Sequence, residues 1–279
     1  MEEPILKIKD LYYGYGNGAP ALDGVSVNIH AGEKIAVIGS NGAGKSTFFL
    51  NANGVLKPDH GEISYRGIPI TKKNLKELRK NIGIVFQDAD NQIVASTVMA
   101  EVGFGPMNLK LPKEEVLQRV DEALTYMNIL EFKDRAPHYL SGGEKKRVSI
   151  ADIIAMKSDV IIFDEPTAAL DPVNAEMLED VLAKLGSEGK TILISTHDVD
   201  FAYRWAERAI VFCQGKIIAD GTPLEIFQNE KVLKLANLKR PMMLDVYDLL
   251  VENKLLRDEK IYPKSIEAFK EMLEIINNF

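Results

Sequence analysis

The stretch KIAVIGSNGAGKST, Lys34–Thr47, leaves this chain few folds to choose from. Four apolar residues after Lys34 read as a buried strand. A glycine-rich loop then turns directly into a helix that continues through FFLNAN, with Gly54 and Pro58 as its stop signals. A strand that passes through a tight loop into a helix opens a βαβ unit, so an α/β fold with a parallel sheet is expected. The loop also has a chemistry. GSNGAGKS fits G-x-x-x-x-G-K-[ST] without a gap, in the strand-to-helix context the motif needs. The backbone of Gly39, Ser40, Asn41, Gly42, Ala43 and Gly44 curls its N–H groups toward phosphate at the positive end of the helix. Lys45 reaches the outer phosphates and Ser46 offers a hydroxyl to Mg²⁺, and the adjacent Thr47 is a further candidate nucleotide-binding residue.

A second run, VIIFDE, supplies carboxylates. Its apolar residues make a central strand, with Asp164 at the carboxyl end, where ligands gather in such sheets. Asp164 suits Mg²⁺ or its waters, and Glu165 is set to polarise a water in line with the terminal phosphate. A third run, LSGGEKKR (Leu140–Arg147), resembles another anion cradle. Ser141 caps a helix that begins at Gly142–Gly143 and leaves N–H groups free at its positive end. Lys145, Lys146 and Arg147 are unusual in a first helical turn, where acids are preferred. They are read as facing solvent, the alternative being a contribution to anion binding.

Elsewhere ILKIK, VSVNI, ISYRG, IGIVF and TILIS read as strands, and AIVFC and KIIAD as a hairpin about Gln214-Gly215. Val116, Val120, Ala123, Leu124 and Met127 recur at helical spacing in LPKEEVLQRVDEALTYM, and helical character is expected to persist past LSGGE to about Met156. After Pro223 the chain reads as helical, with PMMLDVYDLLVENKLL and PKSIEAFKEMLEII amphipathic.

GSNGAGKST, LSGGE, VIIFDE, AALD and STHD occur in that order, and over roughly residues 5–225 the chain resembles the nucleotide-binding subunit of an ATP-binding-cassette protein. The resemblance implies an α/β P-loop NTPase core with a mixed sheet, an antiparallel β subdomain and a helical subdomain at about 88–158. These would fill residues 1–225, followed by a small helical extension at 226–279 that is either a dimerisation element or a cap on the same domain. It implies ATP and Mg²⁺ as cofactors, with two cassettes paired head to tail. Each ATP then lies between one subunit's phosphate loop and the other's Ser141, Gly142, Gly143 and Glu144. Residue by residue, Tyr15 matches the aromatic stacked on adenine, with Tyr12 and Tyr13 as nearby rivals. Gln87 matches the glutamine on Mg²⁺ and the attacking water, Asp171 the aspartate facing the opposite subunit, and His197 the histidine on the γ-phosphate. Lys45, Gln87, Glu165 and His197 are thus the expected catalytic set, and Ser46, Gln87 and Asp164 the expected metal set.

The stretch FQDADNQ after β-strand IGIV resembles the FQNPDNQ stretch of energy-coupling-factor ATPases, above all cobalt-transport ATP-binding subunits, with Asp88 and Ala89 in place of Asn and Pro. This implies a short extra helix after Gln87 that meets a transmembrane coupling subunit, and a separate substrate-capture membrane subunit. Asp90, Asn91 and Gln92 are expected to hydrogen-bond the coupling subunit, with Ile93 packing on it. The expected role is to power import of a transition-metal ion, cobalt first, or of a vitamin. The chain would work as a homodimer or with a similar paralogue, peripherally at the cytoplasmic face of the cell membrane. A net charge of -7 speaks against a nucleic-acid partner. The single cysteine, Cys213, allows no internal disulfide, MEEPILKIKD lacks a signal-peptide core, and no apolar run approaches the roughly 18 residues of a membrane span. DNA-maintenance cassettes carry long coiled coils between their halves and ribosome-associated ones fuse two units, and this chain has neither feature.

Overall fold

The computed structural model describes residues 3–16, 18–168, 170–257 and 260–277. The assigned spans 1–225 and 226–279 include a few positions, among them both chain ends, that lie outside the described residues. The first part contains β1 (Leu6–Tyr13), β2 (Leu22–Ile29), β3 (Lys34–Ile38), α1 (Lys45–Ala52), β4 (His60–Tyr65), β5 (Ile68–Pro69), α2 (Leu75–Asn81) and β6 (Ile82–Val85). Three helices follow, α3 (Val98–Asn108), α4 (Lys113–Tyr126) and α5 (Gly142–Met156). The chain then returns through β7 (Val160–Asp164), α6 (Pro172–Ser187), β8 (Thr191–Thr196), α7 (Val199–Trp205), β9 (Arg208–Cys213) and β10 (Lys216–Gly221). It closes with α8 (Pro223–Phe227), α9 (Glu230–Ala236), α10 (Met242–Glu252) and α11 (Ile266–Asn277).

Among the described residues two sheets form, an antiparallel one in the order β2-β1-β4-β5 and a mixed one in the order β10-β9-β3-β8-β7-β6. In the mixed sheet β6, β7, β8, β3 and β9 run parallel, and only the edge strand β10 is antiparallel. The central strands are apolar on both faces because both are covered. Ile35, Val37, Ile162 and Leu193 face the antiparallel sheet and α1. Ile161, Phe163, Ile192 and Ile194 face a layer that includes α3 to α6, and Ala36, Ile38 and Val211 pack with α7 to α10. The five apolar positions read along α4 are all buried.

One expectation changes. Helix does not run on from Met127 to α5. Asn128 takes a left-handed φ of 53°, and two 3-10 turns, Leu130–Phe132 and Pro137–Tyr139, intervene. The short helix expected after Gln87 is present as a single 3-10 turn, Ala89–Asn91, capped by the Asp88 side chain, which accepts from the Asp90 N–H at 3.0 Å. Among the described residues no helix is long and apolar enough to cross a membrane.

Candidate nucleotide-binding site

The site follows from parallel topology. Neighbouring parallel strands end at the same edge, so the segments after them converge there whatever their distance in sequence. Ile38 is in register with Thr196, Asp164 with Ser195, and Val85 with Phe163. The phosphate loop, Gln87, Asp164–Glu165 and His197 therefore gather along one edge of the sheet. The strand β8 separates β3 from β7, which brings Ser195 between the loop and the carboxylates.

Two glycines in the loop cannot be replaced without moving backbone. Gly44 has a φ of 108°, and a Cβ there would lie 2.5 Å from the Ala21 carbonyl oxygen. Gly39, at φ 146°, would bring a Cβ to 2.3 Å from the Phe212 carbonyl oxygen. The β9–β10 turn braces the loop from behind, with the Gly215 N–H donating to the Ala43 carbonyl at 2.9 Å. Lys45 is buried and its ammonium donates to the Gly39 and Ser40 carbonyls at 2.7 and 3.3 Å. Burial lowers the Lys45 pKa, opposed by the nearby Glu165 and Asp164 carboxylates. Of the three tyrosines, Tyr12 sets its ring edge-on to His60 and Tyr13 packs against the core. Tyr15 is 68% exposed, with its hydroxyl 3.2 Å from the Thr47 hydroxyl. Its ring is thus beside the loop, packed nearly at right angles to the Tyr13 ring with centroids 5.0 Å apart.

The carboxylates are held by a residue that motif reading passed over. The Ser195 hydroxyl donates to Asp164 Oδ1 at 2.5 Å and accepts from the Glu165 N–H at 2.8 Å. Glu165 adopts a φ of 42°, an unfavourable conformation for a residue with a side chain. Its carboxylate lies 3.9 Å from the Lys45 ammonium and 3.2 Å from His197 Nδ1. His197 is otherwise exposed. The only sequence hint of Ser195 was its place two residues before His197 at a strand end.

The start of α5 forms a complete capping box. The Ser141 hydroxyl accepts from the Glu144 N–H at 3.3 Å, and the Ser141 N–H donates to Glu144 Oε2 at 2.6 Å. These bonds hold the Glu144 carboxyl below the usual range. A Cβ at Gly142 would meet nothing within 4 Å, whereas at Gly143 it would strike Asn174 at 2.6 Å. Asn174 is held by Asp171, which caps α6 by accepting from the Asn174 N–H at 3.0 Å. The helix start is thus backed by the α6 cap on one side and open on the other.

The basic run after LSGGE does not face solvent as expected. Lys146 is buried, donating to the Phe86 and Gln87 carbonyls at 2.6 and 3.0 Å. Lys145 pairs with Asp90 Oδ1 at 2.6 Å, and the Arg147 Nε is buried. The helical phase explains this. Lys146 shares one face of α5 with Ser149, Ile150 and Ile153, which are all buried. That phase was readable in the sequence; the local basic cluster obscured it.

The segment after Gln87 is seated along α5 with Asp88, Asp90, Asn91 and Val94 exposed. Gln92 accepts from the Phe86 N–H at 3.2 Å and donates to the Ser149 carbonyl at 2.9 Å. Asn91 donates to Asp88 at 3.3 Å and stays exposed, and Ile93 is partly buried against the core. Gln92 also lines a groove of about 1060 Å³ between the sheet and α3–α5, along with Phe86, Phe104 and Asp152. Burial, with a smaller push from Glu101, raises the Asp152 pKa to about 7 against a Gln92 hydrogen bond. The folded chain therefore keeps this proton up to about pH 7, whereas the unfolded chain releases it near 3.8. Stability from this group is full below the lower value and is lost as pH rises through the upper one. Asp152→Asn should raise the melting temperature at pH 8.5 by a few degrees, on the order of 1 kcal/mol, with a smaller gain at pH 5. Thermal denaturation at both pH values checks this.

The donor set suits a magnesium nucleotide. Asp164 is a buried carboxylate with one oxygen engaged by Ser195, and no group of three or more His, Cys, Asp or Glu that could hold a bare metal ion occurs among the described residues. Mg²⁺ in nucleotide sites commonly takes one or two carboxylates and completes its shell with phosphate and water. Ser46, Asp164 and Gln87 are the candidates to hold it.

A glycine cradle between a central strand and a helix, faced by paired carboxylates on a nearby parallel strand, defines the P-loop nucleotide-binding class. The family model described as ABC transporter matches residues 22–168, and the chain belongs to that family. It is 49% identical over 246 residues to the energy-coupling factor transporter ATP-binding protein EcfA2 of Methanospirillum hungatei, covering 88% of this chain and 62% of that protein. The chain thus spans less than two thirds of that relative's length. Among solved structures it resembles cbiO1 from Clostridium perfringens, part of the ABC transporter complex cbiONQ, with a TM-score of 0.74 and 42% identity over 89% of this chain and 99% of that one. It also resembles a dimeric ATP-binding cassette in a post-hydrolysis state bound to ADP and Pi, with a TM-score of 0.71 and 32% identity over 78% of this chain and 98% of that one.

Proposed function

We propose that this chain is the ATP-hydrolysing subunit of an energy-coupling-factor importer. The observation that carries the reading is the Glu165 carboxylate, held between Lys45 and His197 by a backbone that Ser195 supports. Residues Gly39–Thr47 bind the ATP phosphates, and Tyr15 stacks on the adenine. Mg²⁺, when bound, neutralises charge on the phosphates. Glu165 accepts a proton from the attacking water, Lys45 withdraws charge from the γ-phosphate, and His197 and Gln87 orient the groups around it. The open helix start at Ser141–Glu144, with Asp171 beside it through Asn174, is suited to ATP bound on a second ATPase subunit, identical or similar.

The groove between the sheet and α3–α5 suits a helix of a transmembrane coupling subunit, with Phe104 half exposed on its wall. The chain then works at the cytoplasmic face of the membrane through its partners, and the segment 226–279, in which α9 and α10 also cap this chain's own core, serves dimerisation through its outer surface. Phe104→Glu should cut co-purification with the membrane subunits at least about tenfold, since a charge would be buried against an apolar partner. An unchanged melting temperature would show that the variant is folded. The FQDADNQ stretch favours cobalt as cargo. The test is reconstitution in proteoliposomes with the membrane subunits encoded beside it. ATP-dependent uptake of Co²⁺ supports this reading, uptake of a vitamin alone replaces the metal, and absence of ATP-driven uptake of either overturns it.

A further inference from the structure

The buried Lys146 has no part in the scheme above, yet its ammonium lies beneath the site. We propose that Lys146 is a positioning residue for ATP hydrolysis, tying the Phe86–Gln87 backbone to α5 so that the Gln87 side chain is aimed at the nucleotide. The proposal rests on the role given to Gln87. Three observations carry it.

First, the geometry is specific. One ammonium donates to two consecutive carbonyls, Phe86 at 2.6 Å and Gln87 at 3.0 Å, from a helix about sixty residues away in sequence. These are the residues that leave β6 at the catalytic edge, where no strand partner holds them. Second, the charge is kept at a cost. The side chain is only 5% exposed, and the carbonyls it meets are neutral. A lysine used only for packing would be better served by an apolar residue. Third, the tie is part of a row. Lys145 holds Asp90, and the Ser149 carbonyl and Asp152 hold Gln92. The segment after β6 is therefore seated along α5 from its first turn to its third. The start of that helix is the surface offered to the second subunit's nucleotide. Movement of α5 on nucleotide binding at the dimer face would carry this chain's own Gln87 with it.

The test is a double-mutant cycle on ATP turnover by the full chain, with Lys146→Met, Gln87→Ala and the pair, alongside the affinity for a non-hydrolysable ATP analogue. Lys146→Met keeps the length and removes the donors. It should lower kcat by about tenfold or more, since misplacement of a group by about 1 Å is enough for that, with analogue affinity within about twofold. In the Gln87→Ala background it should cost almost nothing further. Should the methionine variant fail to fold, Lys146→Gln, whose amide falls short of the carbonyls, takes its place in the cycle. Losses that multiply in the double variant overturn the tie alone, because Lys146 then acts without Gln87. A Gln87→Ala variant with wild-type turnover overturns the role of Gln87 and the tie together.

Discussion

Glu165→Gln is expected to bind ATP almost as tightly as the wild-type chain and to lose at least about a hundredfold in turnover, the usual worth of a positioned general base. The amide is close in shape to the carboxylate, so the local structure should hold. The Glu165 N–H donates to Ser195 whichever side chain is present, and Ser195 keeps its bond to Asp164. The phosphate loop and Lys45 are untouched, and Asp164 still balances the Lys45 charge. What disappears is the oxygen able to take a proton from water. Equilibrium binding of ATP and steady-state phosphate release are the two measurements. Because ATP is bound but not discharged, the variant should also accumulate as an ATP-dependent dimer on size exclusion. Phosphate release near the wild-type rate would show that Glu165 is not the base.

Ser141→Arg should abolish turnover, a loss of more than about a hundredfold, while a monomer keeps its affinity for ATP. The change removes the helix cap, which costs about 1 kcal/mol of local stability. It also sets a long cation at the open start of α5, beside Gly142, where a Cβ meets nothing. If that helix start receives the nucleotide of a second subunit, the arginine blocks closure without touching its own phosphate loop. Lys45→Ala does the reverse, removing the ammonium that lies inside the loop. If the chain pairs with a second copy of itself, an equal mixture of the two variants should recover at most about a quarter of wild-type turnover, since half the dimers are mixed and each holds one intact composite site. Equal loss of monomer ATP affinity in both variants would refute a shared site.

Much of this was legible in contiguous residues because the forces that form those parts are local. The loop from Gly39 to Lys45 depends on backbone freedom at glycine and on the start of a helix, both written within nine residues. The capping box of Ser141 and Glu144 spans four residues, and the buried stripe of α4 follows from a 3.6-residue period. The turn at Gln214-Gly215, with φ values of 49° and 78°, is likewise the local conformation that such a pair prefers. What the motifs could not express is which strands lie side by side.

By itself, the sequence determined the phosphate loop, the carboxylate pair, the capped helix start and an α/β fold built on parallel strands, since each is a property of neighbouring residues. Only the tertiary structure decided that β8 lies between β3 and β7, making Ser195 the support of both Asp164 and Glu165. It alone decided that Lys146 is buried against the backbone after β6 and that Asp90 and Gln92 are held by α5. A charge is buried only where partners from elsewhere in the chain meet it, so its position depends on the order of strands and the seating of helices. That order is set by how the whole core closes.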